Sequence, residues 1–307
     1  MGVLTSHAGR RVLHSVLSLA GLIVLVFFLA RLTGNPADLF LPIDASPELR
    51  QQFTALHGFN DPAIVQFGRY VWAALHLDFG QSLRDGRPAL NIVLAGAPWT
   101  LTLAAVTMAI SLLLGIVVGA LGATKPGGLF DRVTTFLSLI GVAAPNFWIG
   151  IVGILVFAIW LHILPTSGTD SPLSWVLPIA VLSLRPSGIL AQVVRASMIG
   201  ALSSGYVKTA KAKGVRASSV VFVHALRNAM LPVLTVAGDQ AASLINGAVI
   251  VETMFGFPGI GRVMIDAILY RDFAVVQAVV IVIAVAVFVL NLAIDFAYAA
   301  LDPRVRA

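Results

Sequence analysis

Four charged residues lie inside long apolar runs of this chain: Arg185, Asp239, Glu252 and Asp295. An ionisable side chain at the centre of a bilayer costs about 2.5–3.5 kcal/mol on insertion scales, so each is a functional candidate by default. Arg185 and Asp239 each sit about ten residues in from one end of their runs. Ten residues of helix rise about 15 Å, half the hydrocarbon thickness, so both reach the midplane. An Arg and an Asp at one depth on neighbouring helices can neutralise each other. The expectation is an ion pair at, or beside, a solute pathway; a pair that only locks two helices together is the plainer alternative, and both stay open. Asn246 follows Asp239 by nearly two helical turns and shares its face, which makes that face the candidate pathway lining. Glu252 ends its run at the outer face, and Asp295, with Asn291, lies near the inner end of the last run. These two are expected to be interfacial side chains that reach water.

A second constellation is basic. Between two apolar runs stands Lys208-Thr209-Ala210-Lys211-Ala212-Lys213-Gly214-Val215-Arg216, followed by His224-Ala-Leu-Arg227-Asn228 and Pro232. The pattern predicts a helix from Tyr206 to Lys213, a break at Gly214 and a second helix from Arg216 to Asn228. A short helix presented between two spans fits a groove on a partner protein, and its Lys and Arg favour an acidic groove edge. A solvated loop that merely fixes topology is the alternative. A short turn would do that equally well, so the length argues for a partner.

The elements that must position these groups are membrane helices. The chain has 307 residues, 58% hydrophobic and only 11% charged. A soluble domain carries roughly 25% charged residues. Six runs are long enough to cross about 30 Å of hydrocarbon: 12–30, 98–123, 133–161, 175–196, 229–252 and 274–300. With the N-terminus inside, the inner segments hold Arg10, Arg11, Lys125, Arg132, Arg195, Lys208, Lys211, Lys213, Arg216, Arg227, Arg304 and Arg306 against Asp131 and Asp302. The outer segments are richer in acids than bases. Cytoplasmic loops carry the excess of Lys and Arg, so both termini are expected inside. The first run follows Arg10-Arg11 like a secretory signal. It is longer than the usual signal core and no small-residue cleavage site follows, so it is read as a retained helix. The outer insert 32–97 is read as a small ordered cap, with helices expected at Glu48–His57 and Ala63–Leu77. The spacing Gly115-x-x-x-Gly119 permits close helix contact, read as generic packing.

Other chemistries lack their residues. There is no Gly-rich phosphate loop closed by Lys and Ser or Thr, so the chain does not hydrolyse nucleotide by that route. No paired-His metal spacing and no serine-nucleophile elbow occur, and the six His are scattered. The absence of Cys removes disulfides, thiolate metal sites and Cys nucleophiles. The net charge of +6 collects at inner membrane edges without aromatic interleaving, which argues against nucleic acid. Three function classes remain to be weighed: a membrane subunit driven by a soluble partner, a channel or secondary transporter working alone, and a scaffold or membrane enzyme. The partner-sized loop favours the first.

Several motifs, in order, resemble one family over nearly the whole chain. Gly58-Phe-Asn-Asp61-Pro62, Gln66-Phe67, Tyr70-Val-Trp72 and Leu77-Asp78-Phe79-Gly80-Gln-Ser82 match its external loop. The basic segment with Leu231-Pro232 matches its coupling loop. Glu252-Thr-Met-Phe-Gly-Phe-Pro258-Gly259-Ile-Gly261 with Arg271-Asp272-Phe273 matches its last external loop, and Asp302-Pro303-Arg304-Val-Arg306 its C-terminal signature. The chain resembles the B-type permease subunit of bacterial ATP-binding-cassette importers for dipeptides, oligopeptides and nickel.

The resemblance implies an all-α integral membrane protein with six transmembrane helices and both termini cytoplasmic, the type I importer transmembrane domain, in the bacterial inner membrane. It implies a permease core over about 95–300, an extracytoplasmic insert at 32–97 and a coupling loop at 200–228. The implied partners are a second permease that is its paralogue, two ATPase subunits, an extracytoplasmic substrate-binding protein and membrane lipid. ATP and Mg belong to the ATPases, and this chain is expected to bind no cofactor. Ala210 and Gly214 match the general importer loop, whereas Lys208 and Thr209 stand where Glu and Ala are common. That departure puts the usual Glu contact to the ATPase in doubt. Arg185 and Asp239 occupy positions that are usually apolar in the family, a second departure that points to an unusual substrate. Peptides are the default cargo; nickel chelates, glutathione, haem and opines stay open.

Overall fold

The computed structural model describes residues 17, 18, 20, 21, 23–29, 40–42 and 45–301, with side chains to 294. The described residues are helical, and their strand geometry is limited to one isolated bridge between Gln81 and Pro88. The chain forms two compact units. One comprises the residues up to Trp99 together with Pro258–Phe288, and the other comprises Thr100–Phe257 with the residues from Val289 on.

In the first unit, helix α1 (Pro47–Leu56) starts where Ser46 caps it, its Oγ accepting from the Leu49 amide at 3.2 Å, with Pro47 at the first helical position. Helix α2 (Ala63–Leu75) follows a turn in which Gln66 Nε2 donates to the carbonyls of Asp61 at 2.8 Å and Phe59 at 3.2 Å. Both helices arise where the sequence predicts them. Phe27, fully buried, packs its ring against Phe67 and Tyr70 of α2. The segment 80–89 closes on itself through Ser82 N to Arg87 O and Ala89 N to Gly80 O, both 2.9 Å. Helix α3 (Ala89–Thr124) begins there, nine residues before the expected span. Its length is about 54 Å at 1.5 Å per residue, well beyond the hydrocarbon thickness. Helix α9 (Ile260–Leu269) and the first half of α10 (Phe273–Leu301) share a core with α3's start through Val93, Ile260, Ala267 and Val279.

The second unit holds the remaining spans. The apolar run 133–161 is not one helix. Helix α4 (Leu129–Ala143) and helix α5 (Asn146–Gly153, continuing as a π-helix over Ile154–Trp160) meet at a bend of 104°. Pro145 is the cause: it has no N–H to continue the ladder, and it forces Ala144 into extended backbone at φ −76, ψ 131. Helix α6 (Val176–Leu202) is a single span and absorbs Pro186. Helix α7 (Gly205–Ala212) is short. Helix α8 (Leu226–Phe255) is preceded by Ala217–Ser219 and a π-helix over Val220–Ala225, and the three form one continuous rod. The second helix expected at Arg216–Asn228 is therefore the lower end of a membrane helix.

Glycine lets these rods meet closely. A Cβ on Gly115 would lie 2.6 Å from Leu190 Cβ, and one on Gly119 would lie 2.5 Å from the Ala191 carbonyl. The spacing read as packing is the seam between α3 and α6.

Four described helices are long and apolar enough to cross a membrane, and the bent pair α4–α5 supplies a fifth. The sixth expected span, 12–30, is described only in part. The two termini, Arg10-Arg11, the C-terminal Asp302-Pro303-Arg304-Val-Arg306 and the Asp295 side chain lie outside the described residues.

Candidate functional site

The basic segment folds as a presented helix. Gly205–Ala212 is helical, one residue out of register with the expectation, and Gly214 terminates it at φ +75. This left-handed conformation favours Gly, since a side chain there costs about 1–2 kcal/mol. Open space surrounds the position: nothing lies within 4 Å of a Cβ built on Gly214. Val207 alone on this helix is fully buried, seated among Val194, Met198, Val220 and Ala225, with Ala210 and Val215 packed beside it. Lys208, Thr209, Lys211, Ala212, Lys213 and Arg216 are exposed. The helix thus has one apolar foot on the bundle and a free cationic face.

Arg185 and Asp239 line one cleft of about 300 Å³, together with Asn146, Leu182, Pro186, Gln240, Ser243, Leu244 and Gly247. Depth counting from the sequence brings them to this common place. The expected ion pair does not form: both side chains are exposed and the described ion pairs join other residues. The Asp239 carboxylate instead accepts from Gln240 Nε2 at 3.2 Å. Asn246 is exposed but outside the lining. The helical wheel explains this. The cleft face of α8 is centred on Gln240, Ser243 and Gly247, so Asp239 stands at its edge and Asn246 falls beyond. Asn146, Gln240 and Ser243 escaped the sequence reading. Asn146 arrives there because Pro145 turns the chain and starts α5 at the cleft.

A second Arg–Asp pair closes fully. Asp131, 3% exposed, receives Arg195 Nε and, at 2.8 Å, Arg195 Nη2, while the Gly127 amide donates to the same carboxylate at 2.7 Å. This bidentate contact ties the α3–α4 turn to α6, one helical stretch before the presented helix α7.

Glu252 corrects an expectation. It is fully buried rather than interfacial, and Thr100 Oγ1 donates to its Oε1 at 2.6 Å. A buried carboxyl requires such partners. The partner is 152 residues away in sequence, so no local pattern announces it.

The first unit has a larger cleft, about 450 Å³, lined by Ser82, Arg84, Asp85, Arg87, Asp266, Tyr270 and Asp272 among others. Most of its charges are engaged: Arg87 holds Asp85 at 3.1 Å, Ser82 Oγ donates to Asp272 at 2.5 Å, and the Arg84 guanidinium stacks 4.0 Å above the Tyr270 ring.

A presented cationic helix beside a membrane bundle with a polar cleft is a transporter's inventory, and the sequence profile of one family decides which. The profile described as "Binding-protein-dependent transport system inner membrane component" matches residues 111–307. The chain belongs to this family of permeases. Full-length relatives agree. The permease is 36% identical over 308 residues to the oligopeptide transport system permease protein AppB of Bacillus subtilis, covering 96% of this chain and 98% of that protein. It is 34% identical over 319 residues to the dipeptide transport system permease protein DppB of Escherichia coli, covering 93% and 94%. The DppB of Alkalihalophilus pseudofirmus is 33% identical over 330 residues, at 98% and 99% coverage.

Among solved structures, the inward-facing MetNI methionine ABC transporter shares the fold with TM-score 0.59 at 16% identity, over 69% of this chain and 96% of that one. A crystal structure of an amino acid ABC transporter with histidines shares it with TM-score 0.50 at 20% identity, over 70% and 94%. The permease is thus a multi-pass membrane protein with the type I importer fold. It is a pore subunit that works with other components of an ABC importer and is not itself an enzyme.

Proposed function

We propose that this permease forms, with a second permease, the pathway by which short peptides or a related small solute enter a bacterial cell across the inner membrane. A substrate-binding protein delivers the solute outside, and two ATPase subunits drive the cycle inside. ATP and Mg reside on those ATPases, and this chain holds no cofactor. The cargo reading rests on relatives named for peptides and dipeptides that match from end to end.

The observation that carries the coupling is the foot and face of α7. Its cations and the turn at Gly214 stand free for an acidic cleft on an ATPase, while Val207 is embedded between α6 and the start of α8. A push on α7 is therefore delivered into the two helices that carry Arg185 and Asp239. Close packing makes that transmission possible, since a well-packed core moves as blocks rather than deforming smoothly. Closure of the ATPases would rock these helices and alternate access to the cleft.

Purification in mild detergent tests this. The permease should copurify with nucleotide-binding chains. Gly214→Val, which places a β-branched residue in the left-handed region, should uncouple ATPase activity from transport, and deletion of 208–216 should release the ATPases altogether. A lone chain that transports on its own would defeat the reading.

A further inference from the structure

We infer that the cleft of α6 and α8 is a binding site for a small zwitterion, with Arg185 holding its carboxylate and Asp239 its ammonium group. The inference rests on the permease reading and narrows its cargo.

Two full charges of opposite sign face one cleft of about 300 Å³ inside a membrane bundle. Among the described residues, neither belongs to an ion pair, and the one hydrogen bond made by either side chain is that from Gln240 to Asp239 at 3.2 Å. Charges at membrane depth are costly unless something completes them. At the inner edge of the bundle, Arg195 and Asp131 close on each other. Arg185 and Asp239 stay apart and both face the same space, which matches a molecule whose own opposite charges are held apart.

The chemistry at each end is specific. The planar guanidinium presents a fork of N–H donors that fits a carboxylate bidentately. An aspartate accepts from the three N–H groups of an ammonium. Asn146 opens helix α5 at the same cleft, and a broken helix with its N-terminus in a cavity adds partial positive charge that also favours a carboxylate. Gln240 and Ser243 offer neutral donors and acceptors for an amide between the ends. The volume is at the small end of ligand pockets, which span about 300–1,000 Å³. A cleft of about 300 Å³ suits a peptide of two or three residues and not a long chain.

The test uses the purified complex of permease and ATPase chains without its binding protein, because that protein makes its own selection. Radiolabelled dialanine is the probe, with N-acetyl-dialanine and dialanine amide as competitors. Each capped form should compete about tenfold or more weakly than free dialanine, since a charge-assisted hydrogen bond of about 1.5–3 kcal/mol is lost. Arg185→Gln should erase the penalty on the amide and keep that on the acetyl form; Asp239→Asn should do the reverse. A merely structural role would not produce that crossed pattern. Equal competition by capped and free forms on the unaltered complex overturns the inference, as does a pair of variants that lose both preferences alike. A complex that moves dialanine in proteoliposomes yet shows no end-group preference sinks this site and spares the permease reading. A chain that neither copurifies with ATPases nor moves the dipeptide sinks both.

Discussion

Helix α6 carries two arginines, ten residues apart, that meet opposite fates. Arg195 folds onto Asp131 with two donors and is joined there by a backbone amide. Arg185 faces Asp239 across a cleft and does not touch it. The residue types are the same, so identity alone does not separate a brace from a binding site. The backbone around them does. Asp131 lies in the first turn of α4, held by the tight turn at Gly127 and facing Gly122, where a Cβ would come within 3.3 Å of the carboxylate. Arg185 and Asp239 instead line a cleft of about 300 Å³, which the turn at Pro145 lets the start of α5 reach through Asn146.

The sharpest way to break this contrast is to remove one acid from each pair and compare stability. Asp131→Ala strands Arg195, which keeps 28% of its side chain exposed, so the loss should be about 2–3 kcal/mol rather than the larger value of a wholly buried pair. It should appear as a lower thermal midpoint of the complex in detergent. Gly119→Ala should come next, at about 2 kcal/mol, because its methyl meets the Ala191 carbonyl and Val194 Cβ in the same seam. Thermal unfolding would register it without any change in end-group preference. Asp239→Asn should cost least, with no measurable destabilisation, since it removes an unpaired charge at membrane depth that has one neutral partner. Its effect should fall on solute binding instead. Equal destabilisation by Asp131→Ala and Asp239→Asn would erase the distinction.

Much of this was legible before any fold was known, and the reasons are local. Lys208 to Gly214 reads as a helix with a glycine stop, and hydrogen bonding between near neighbours fulfils it. The two short helices of the insert follow Ser46-Pro47 and Pro62, which are local start signals. Counting residues from span ends put Arg185 and Asp239 at one level, since helical rise is fixed. What counting lacks is direction around the axis. It could not say whether the two would touch, nor that Asn246 turns out of the lining.

The bend at Pro145 hid inside a run whose apolarity is unbroken from Val133 to Trp160 apart from a few small polar residues. Hydropathy measures burial in lipid and is blind to backbone angle. The burial of Glu252 depends on Thr100, and the brace at Asp131 on Arg195, contacts between distant parts of the chain that no window contains.

The wide turn over Val220–Ala225 gives the rod an adjustable phase. A π-helix holds one more residue per loop of hydrogen bonds than its α neighbours. Everything beyond it is therefore clocked by that surplus residue. Tightening the coil there into ordinary α geometry would rotate the rod downstream by about 100°, carrying Asp239 around the axis and shifting Val220 and Ala225, on which Val207 of α7 is seated. Six residues of π geometry thus set which side chains α8 turns toward the cleft that Asp239, Gln240 and Ser243 line.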